Sequence, residues 1–149
     1  MSARSAGAST VLKLSDQDLV NQASLIVECN VTSMSGAWNP THDQIFTLID
    51  LQILNVIKGT AGPTLQLRVL GGEVDSVGMS VVGAPTFAVG EHDILYIVAN
   101  PQSMFPIVGF NQGKFTLETI PTTGEVRVVE RDMSRDEFVR DIRSRMVKH

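Results

Sequence analysis

The chain has 149 residues, of which 43% are hydrophobic and 19% are charged, and its formal net charge is −4. A chain of this length buries about two thirds of its unfolded surface, so one domain can be stable without a metal or a disulfide. The acidic balance argues against a nucleic-acid partner, because such proteins carry a basic patch. No stretch reaches the roughly 18 apolar residues that a membrane-spanning helix needs, and the single cysteine excludes an internal disulfide.

The first ten residues are small and mostly polar. We expect residues 1–13 to be a disordered terminus, or an artificial start that follows a removed export signal. Residues 14–149 are then one domain, because no linker or internal repeat interrupts them.

Two helices are predicted by the same capping sequence. Ser15 stands three residues before Asp18, and Ser134 stands three residues before Glu137. A hydroxyl at the N-cap and an acid at the third helical position satisfy each other's backbone amides. The pattern predicts a short helix over 16–23 and an amphipathic C-terminal helix over 135–147.

Between the helices, alternation of apolar and polar residues predicts short strands. A loop that carries Trp38 is expected over 33–43, and the long strand over 45–57 is expected to contain a bend or a bulge. The predicted strands cover residues 25–32, 45–57, 65–69, 77–81, 94–98, 107–110, 114–119 and 126–129.

Glycines punctuate these strands, at Gly71–Gly72, Gly83, Gly90 and Gly113. Glycine is favoured where a sheet bends or turns tightly. The pattern therefore predicts a mainly β fold, a single OB-like antiparallel barrel of five to seven strands flanked by the two helices.

Few residues indicate chemistry, and we expect no cofactor, no metal and no catalytic residue. His42 and His92 lie beside carboxylates but lack the spacing of a zinc site, and whether they converge stays open. Cys29 alternates with apolar residues, which predicts a buried core position rather than a nucleophile.

Five residues are candidates for a recognition surface. Phe110, Gln112 and Lys114 surround a glycine corner, where two aromatics, two amides and a lysine come together. Glu73 follows a glycine pair, and Trp38 lies in the predicted loop, where an exposed tryptophan is a frequent binding contact.

Several short motifs lie along the chain: Val56-Ile57-Lys58-Gly59, Gly71-Gly72-Glu73, Gly83-Ala84-Pro85-Thr86-Phe87, Val89-Gly90-Glu91 and Gln112-Gly113-Lys114-Phe115. Together they resemble a family of small exported bacterial proteins of unassigned activity. The resemblance covers nearly the whole chain, from Leu14 to Val147, and it implies an exported protein, periplasmic or extracellular. The architecture is also distantly similar to netrin-like and tissue metalloprotease inhibitor domains, but their disulfides and N-terminal cysteine are missing here.

The sequence thus predicts a non-enzymatic binding module whose partner is another protein. Two alternatives stay open. One is a metal-dependent or hydrolytic enzyme that uses His42, His92 and nearby carboxylates. The other is a structural protein that assembles with itself through an exposed strand edge. The oligomeric state is not predicted.

Overall fold

The computed structural model describes residues 12–101 and 103–146. The predicted N-terminal tail up to residue 11 and the predicted helix end at Val147 lie outside this part of the chain. The elements, in chain order, are α1 (Asp16–Gln22), β1 (Leu25–Trp38), β2 (Ile45–Lys58), β3 (Thr64–Leu70), β4 (Gly72–Val74), β5 (Val77–Met79), β6 (His92–Ile97), β7 (Lys114–Thr119), β8 (Val126–Val128), β9 (Met133–Ser134) and α2 (Arg135–Met146).

The fold is mainly β, as predicted. Seven strands form one sheet in the order β3-β2-β1-β6-β7-β8-β9, and β4 and β5 form a separate hairpin. All the pairings are antiparallel. Within the described ranges β3 and β9 are the two end strands of the sheet.

The first strand is longer than predicted, so the loop expected over 33–43 is wrong for residues 33–38 and correct for residues 39–43. β1 continues to Trp38, which pairs with Ile45 across a short connection. Serines and Gly36 interrupt the apolar alternation in this part of β1, so the alternation pattern does not predict a strand there. Pairing with the apolar β2 overrides their weak strand propensity.

The predicted irregularity in the long second strand is confirmed. Val27 pairs with Val56 while the preceding residue, Ile26, pairs with Lys58, so one residue of β2 is left over. A second shift of the same kind lies between Glu28 and Cys29. Such bulges bend a strand and increase its twist.

The strand predicted over 107–110 is wrong. Only Ile107 makes a β-bridge, to Ile97, and the chain then turns. Gly109 and Phe110 have φ values of 68° and 72°. These left-handed conformations are incompatible with a strand.

Apolar residues form a core on each face of the sheet. The first core packs both helices against the strands and includes Ile26, Ile94, Phe115, Phe138 and Ile142. The second core has no helical residues and includes Val27, Cys29, Ile49, Leu67 and Leu95. Alternate residues of one strand therefore supply opposite cores.

Both helix starts are confirmed. The Ser15 hydroxyl accepts a hydrogen bond from the Asp18 amide at 3.0 Å, and the Asp18 carboxylate accepts one from the Ser15 amide at 3.3 Å. Ser134 and Glu137 exchange the same pair of bonds, each 3.1 Å long. The predicted stripe of α2 is buried against the sheet at Phe138.

Candidate functional site

The chain leaves β3 through two glycines and crosses over the end of the first two strands. Gly71 and Gly72 have φ values of 105° and 141°, which side-chain-bearing residues rarely adopt. The Thr47 hydroxyl donates a 2.7 Å hydrogen bond to the Gly71 carbonyl. A Cβ on Gly36 would overlap the Glu73 carbonyl oxygen. The β4–β5 hairpin is therefore seated directly on the β1–β2 pair.

A cleft of about 280 Å³ lies beside this hairpin. β2 and β3 form one wall, and the segment 80–91, which connects β5 to β6, forms the other. No lining residue carries a formal charge, and large apolar side chains dominate the walls: Met34, Ile49, Val69, Met79, Val81 and Phe87. The cleft is continuous with the second core, to which Ile49 and Val69 belong.

Three contacts hold the 80–91 segment in place as a wall. The Asn111 side chain donates a 2.7 Å hydrogen bond to the Gly83 carbonyl, and the Phe110 ring lies against the same glycine. Further along, the Gly90 amide donates to the Val31 carbonyl at 2.8 Å. The segment therefore has no regular secondary structure but is fastened at both ends.

A buried group of charges stands behind the Phe87 wall. The Lys114 ammonium lies 5.0 Å from the centroid of the Phe87 ring, a cation–π contact. It also lies 3.2 Å from Oε1 of Glu91 and 3.8 Å from Oδ1 of Asp93. Lys114 thus links Phe87, a wall residue of the cleft, to two carboxyl groups.

The carboxyl of Asp93 is completely buried, and neither of its oxygens accepts a hydrogen bond from a described donor. Burial and, to a smaller extent, interaction with Glu91 raise its pKa to about 7 against the lowering effect of Lys114. A protonated Asp93 can donate to the Glu91 carboxylate, which is otherwise left without a hydrogen bond at Oε1. Directly opposite, burial also raises the pKa of the Cys29 thiol, and its predicted core position is confirmed.

A second charged network lies on the opposite face of the sheet. Oε2 of Glu28 is 2.6 Å from Nε2 of His92, and Oε1 accepts hydrogen bonds from two nitrogens of Arg135 at 2.9 and 2.5 Å. Glu28 is only 6% exposed. The network links the first turn of α2 to β1 and β6, and we therefore assign these contacts a structural role.

The five candidate surface residues do not form one patch. Glu73 is exposed on β4, which lies across β1 at Gly36, whereas Trp38 packs against His42. Phe110 packs edge-on against Phe105, with ring centroids 5.3 Å apart. The Gln112 side chain accepts a hydrogen bond from the Leu14 amide and donates one to the Leu12 carbonyl, so it holds the segment before α1 in place.

Lys114 faces the interior instead, where it is held between Glu91, Asp93 and Phe87. Of the five candidates, Phe110 and Lys114 are associated with the cleft. Phe110 supports the 80–91 segment from outside, and Lys114 supports Phe87 from behind.

The structure does not bring His42 and His92 together. His42 packs against Trp38 with ring centroids 4.0 Å apart and the ring planes tilted by 60°, whereas His92 pairs with Asn30 and contacts Glu28. From Asn30 to Trp38 the chain follows β1 for eight residues, a path of roughly 26 Å at about 3.3 Å per residue. Across residues 12–101 and 103–146, no group of three or more His, Cys, Asp and Glu side chains is arranged to hold a metal ion.

Sequence reasoning missed the residues that build the cleft. Met79 and Val81 were predicted only as residues of a short strand, and Phe87 lies in the glycine- and proline-rich stretch that follows it. The one available signal was the combination of large apolar side chains with turn residues, since connections of that kind are ordinarily polar.

The chain matches no model of a known protein family, and it matches no curated protein. Neither helix in the described part of the chain is long and apolar enough to cross a membrane.

Proposed function

We propose that this chain is a non-enzymatic binding module that recognises another protein, and that the cleft between β2–β3 and the 80–91 segment receives an apolar side chain of that partner. The observation that carries the proposal is this uncharged cleft of about 280 Å³. Small-molecule sites usually enclose roughly 300–1,000 Å³ and contain converging polar groups. A smaller apolar cleft fits the anchor side chain of a protein partner better.

The walls are suited to this task. Met34 and Met79 have flexible, polarisable side chains, which adapt to the shape of an inserted group. Beside the cleft, Val82 is 96% exposed, and Phe105 is 46% exposed next to Phe110. Apolar side chains left in water around an apolar cleft are typical of a protein interaction site.

The proposal includes the OB-like form and the exported location expected from the sequence. Strand residues of β1, β2, β3 and β6 share the second core without any helix over it, which supports a sheet that curls around that core. OB-like barrels are partly open, and the opening would lie at the β3 edge, next to the cleft. The exported location is supported by the family resemblance alone.

Site-specific photocrosslinking tests the proposal. A photoreactive side chain replaces the exposed Thr86 on the cleft wall, and in the control it replaces the exposed Ser144 on α2. We expect a single protein adduct from position 86 and none from position 144. The adduct should disappear when Ala84→Leu fills the cleft and persist with Ala88→Leu, because Ala88 does not line it.

Circular dichroism and thermal melts of Ala84→Leu and Ala88→Leu establish that both variants remain folded. An adduct that survives Ala84→Leu, or that forms equally well from position 144, would show that the cleft is not the recognition site.

A further inference from the structure

The buried charges behind the cleft wall are balanced in only one protonation state. The Lys114 ammonium lies 3.2 Å from Oε1 of Glu91 and 3.8 Å from Oδ1 of Asp93, and the lysine side chain is only 12% exposed. When Asp93 is neutral, Lys114 and Glu91 cancel each other. When Asp93 is ionised, one buried negative charge is left in excess, which is strongly disfavoured. The state of Asp93 therefore decides where Lys114 is needed.

The observed distances correspond to a neutral Asp93. Both of its carboxyl oxygens are buried, and neither forms a hydrogen bond with a residue that the structure describes. A hydrogen bond from an ammonium to a carboxylate is about 2.8 Å long, so Lys114 lies roughly 1 Å too far from Asp93 to form one. The ammonium lies closer to Glu91 instead. Ionisation of Asp93 would draw it across this gap.

Phe87 connects the position of Lys114 to the cleft. Its ring centroid lies 5.0 Å from the Lys114 ammonium, within the roughly 6 Å over which a cation–π contact is attractive. Phe87 lies between Gly83 and Gly90, the two points at which the 80–91 segment is fastened to the rest of the chain. Its ring is therefore the part of the wall that can follow a movement of the ammonium.

The titratable groups around Asp93 come from four elements. Burial has the largest effect on the pKa of Asp93; Lys114 on β7 lowers this pKa, Glu91 on the 80–91 segment and Glu130 after β8 raise it, and the result is about 7. On β1, burial raises the pKa of the facing Cys29 thiol, which therefore stays uncharged. Asp93 is thus the member of this group that changes its charge near neutral pH.

We propose that protonation of Asp93 controls the cleft. With Asp93 neutral, Lys114 stays beside Glu91 and against Phe87, and the wall is formed. With Asp93 ionised, the ammonium moves towards Asp93 and the wall loses its support. The inference rests on the proposed function and adds its regulation: the apolar anchor is bound in mildly acidic solution and released in mildly alkaline solution.

A bound anchor acts on Asp93 in the same direction. An apolar side chain in the cleft excludes water from the surroundings of Phe87 and Lys114, and loss of water disfavours a buried anion. The anchor therefore binds better to the neutral form. Because coupling between two sites is reciprocal, a bound anchor also holds the proton on Asp93 more tightly.

Methionine methyl groups can report the shape of the cleft. Met34 and Met79 line it, whereas Met133 and Met146 pack against the first core on the other face of the sheet. NMR of protein labelled at methionine methyl and aspartate carboxyl carbons follows the wall and the proton together between pH 5 and 8.5. We expect Met34 and Met79 to shift with the same midpoint as the Asp93 carboxyl, and Met133 and Met146 to stay constant.

Two variants identify the group responsible. Asp93→Asn stays neutral and should keep the Met79 signal at its acidic position at every pH. His92→Gln removes the neighbouring titratable group, which contacts Glu28 on the opposite face of the sheet, and should retain the shift. Thermal melts establish that both variants are folded. If either is not, the agreement of the Asp93 and Met79 midpoints in the wild type decides.

An uncharged probe measures the effect on binding. N-acetylphenylalanine amide carries an anchor side chain and no group that titrates in this range. We expect the wild type to bind it at least about fivefold more tightly at pH 5 than at pH 8.5, the lower end of common couplings between sites. Asp93→Asn should bind it equally at both pH values.

Three results would overturn control by Asp93. The first is an Asp93 signal that does not titrate, or that titrates while Met34 and Met79 stay constant. The second is a Met79 shift that persists in Asp93→Asn. The third is equal binding of the probe by the wild type at both pH values. A probe that binds at neither pH contradicts the proposed function instead, and the methyl signals still decide whether Asp93 shapes the cleft.

Discussion

Asp93 of β6 lies directly opposite Cys29 of β1, and both side chains are completely buried. A carboxyl group in this position has apolar neighbours on β1 and no hydrogen-bond donor at either oxygen among the described residues. In the described part of the chain, the cation that offsets its charge is Lys114, 3.8 Å away. The free energy of unfolding should therefore depend on whether Asp93 is protonated.

Replacement of Asp93 by asparagine should remove that dependence. The pKa of Asp93 is raised from 3.8 to about 7. A carboxyl group whose pKa is higher in the folded than in the unfolded chain contributes its full stabilisation when the pH lies below the unfolded pKa of 3.8. This contribution is lost as the pH rises through the folded pKa of about 7. At about 1.4 kcal/mol per pKa unit, the loss is on the order of a few kcal/mol.

Denaturant unfolding between pH 4.5 and 8.5 measures this effect. The stability of Asp93→Asn relative to the wild type should increase as the pH rises, and Asp75→Asn in the exposed β4–β5 turn is the matched control. An equal pH dependence in wild type and Asp93→Asn would contradict the assignment.

Replacement of Lys114 by methionine should destabilise the protein at neutral pH. It removes the ammonium group from Glu91 and Asp93 and leaves buried negative charge behind. Removal of one partner of a buried ion pair costs about 3–5 kcal/mol. The cost should shrink at pH 5, where Asp93 is protonated.

Chemical denaturation at both pH values provides the measurement, with Lys13→Met as the control at an exposed lysine. If Lys114→Met is as stable as Lys13→Met at pH 8, the buried group contributes nothing to the fold.

Replacement of Gly36 by alanine should disturb the β4–β5 hairpin. The new Cβ would overlap the Glu73 carbonyl, which is main chain and cannot rotate away. Overpacking of this kind costs about 1–3 kcal/mol. Gly78→Ala is the control, because Gly78 also lies in a strand but has open space beside it.

Thermal melts and amide exchange across β4 report the result. We expect faster exchange in β4 for Gly36→Ala and unchanged exchange for Gly78→Ala. Equal melting temperatures for the two variants would show that the hairpin does not rest on β1.

Replacement of Glu28 by glutamine should loosen the attachment of α2. Glutamine cannot neutralise Arg135, and it replaces a carboxylate that accepts from Arg135 and contacts His92. A buried polar group left without its partner costs about 1–3 kcal/mol. Glu118→Gln at an exposed position should change the unfolding free energy little, and an equal effect of both substitutions would refute the prediction.

The helices and most strands could be predicted because local signals define them. The capping pair Ser15–Asp18 satisfies amides within one turn, and the apolar alternation of β3 shows one buried face. These signals depend only on neighbouring residues, so a single sequence contains them.

The end of β1 and the cleft could not be predicted in the same way. Ser33, Ser35 and Gly36 become strand because β2 pairs with them, and no local pattern reveals that partner. Phe87 belongs to the cleft because Lys114, distant in sequence, supports it from behind. Contacts between distant residues decide both features, and spacing along the chain does not encode them.

The adjacent residues His92 and Asp93 serve the two charged networks on opposite faces of β6. A shift of β6 by one residue would exchange their positions, placing an imidazole against Cys29 and a carboxylate beside Glu28. Apolar side chains such as those of Ile94 and Leu95 tolerate such an exchange far better than these two polar side chains do. His92 and Asp93 together therefore favour the observed register of β6 over one displaced by a single residue.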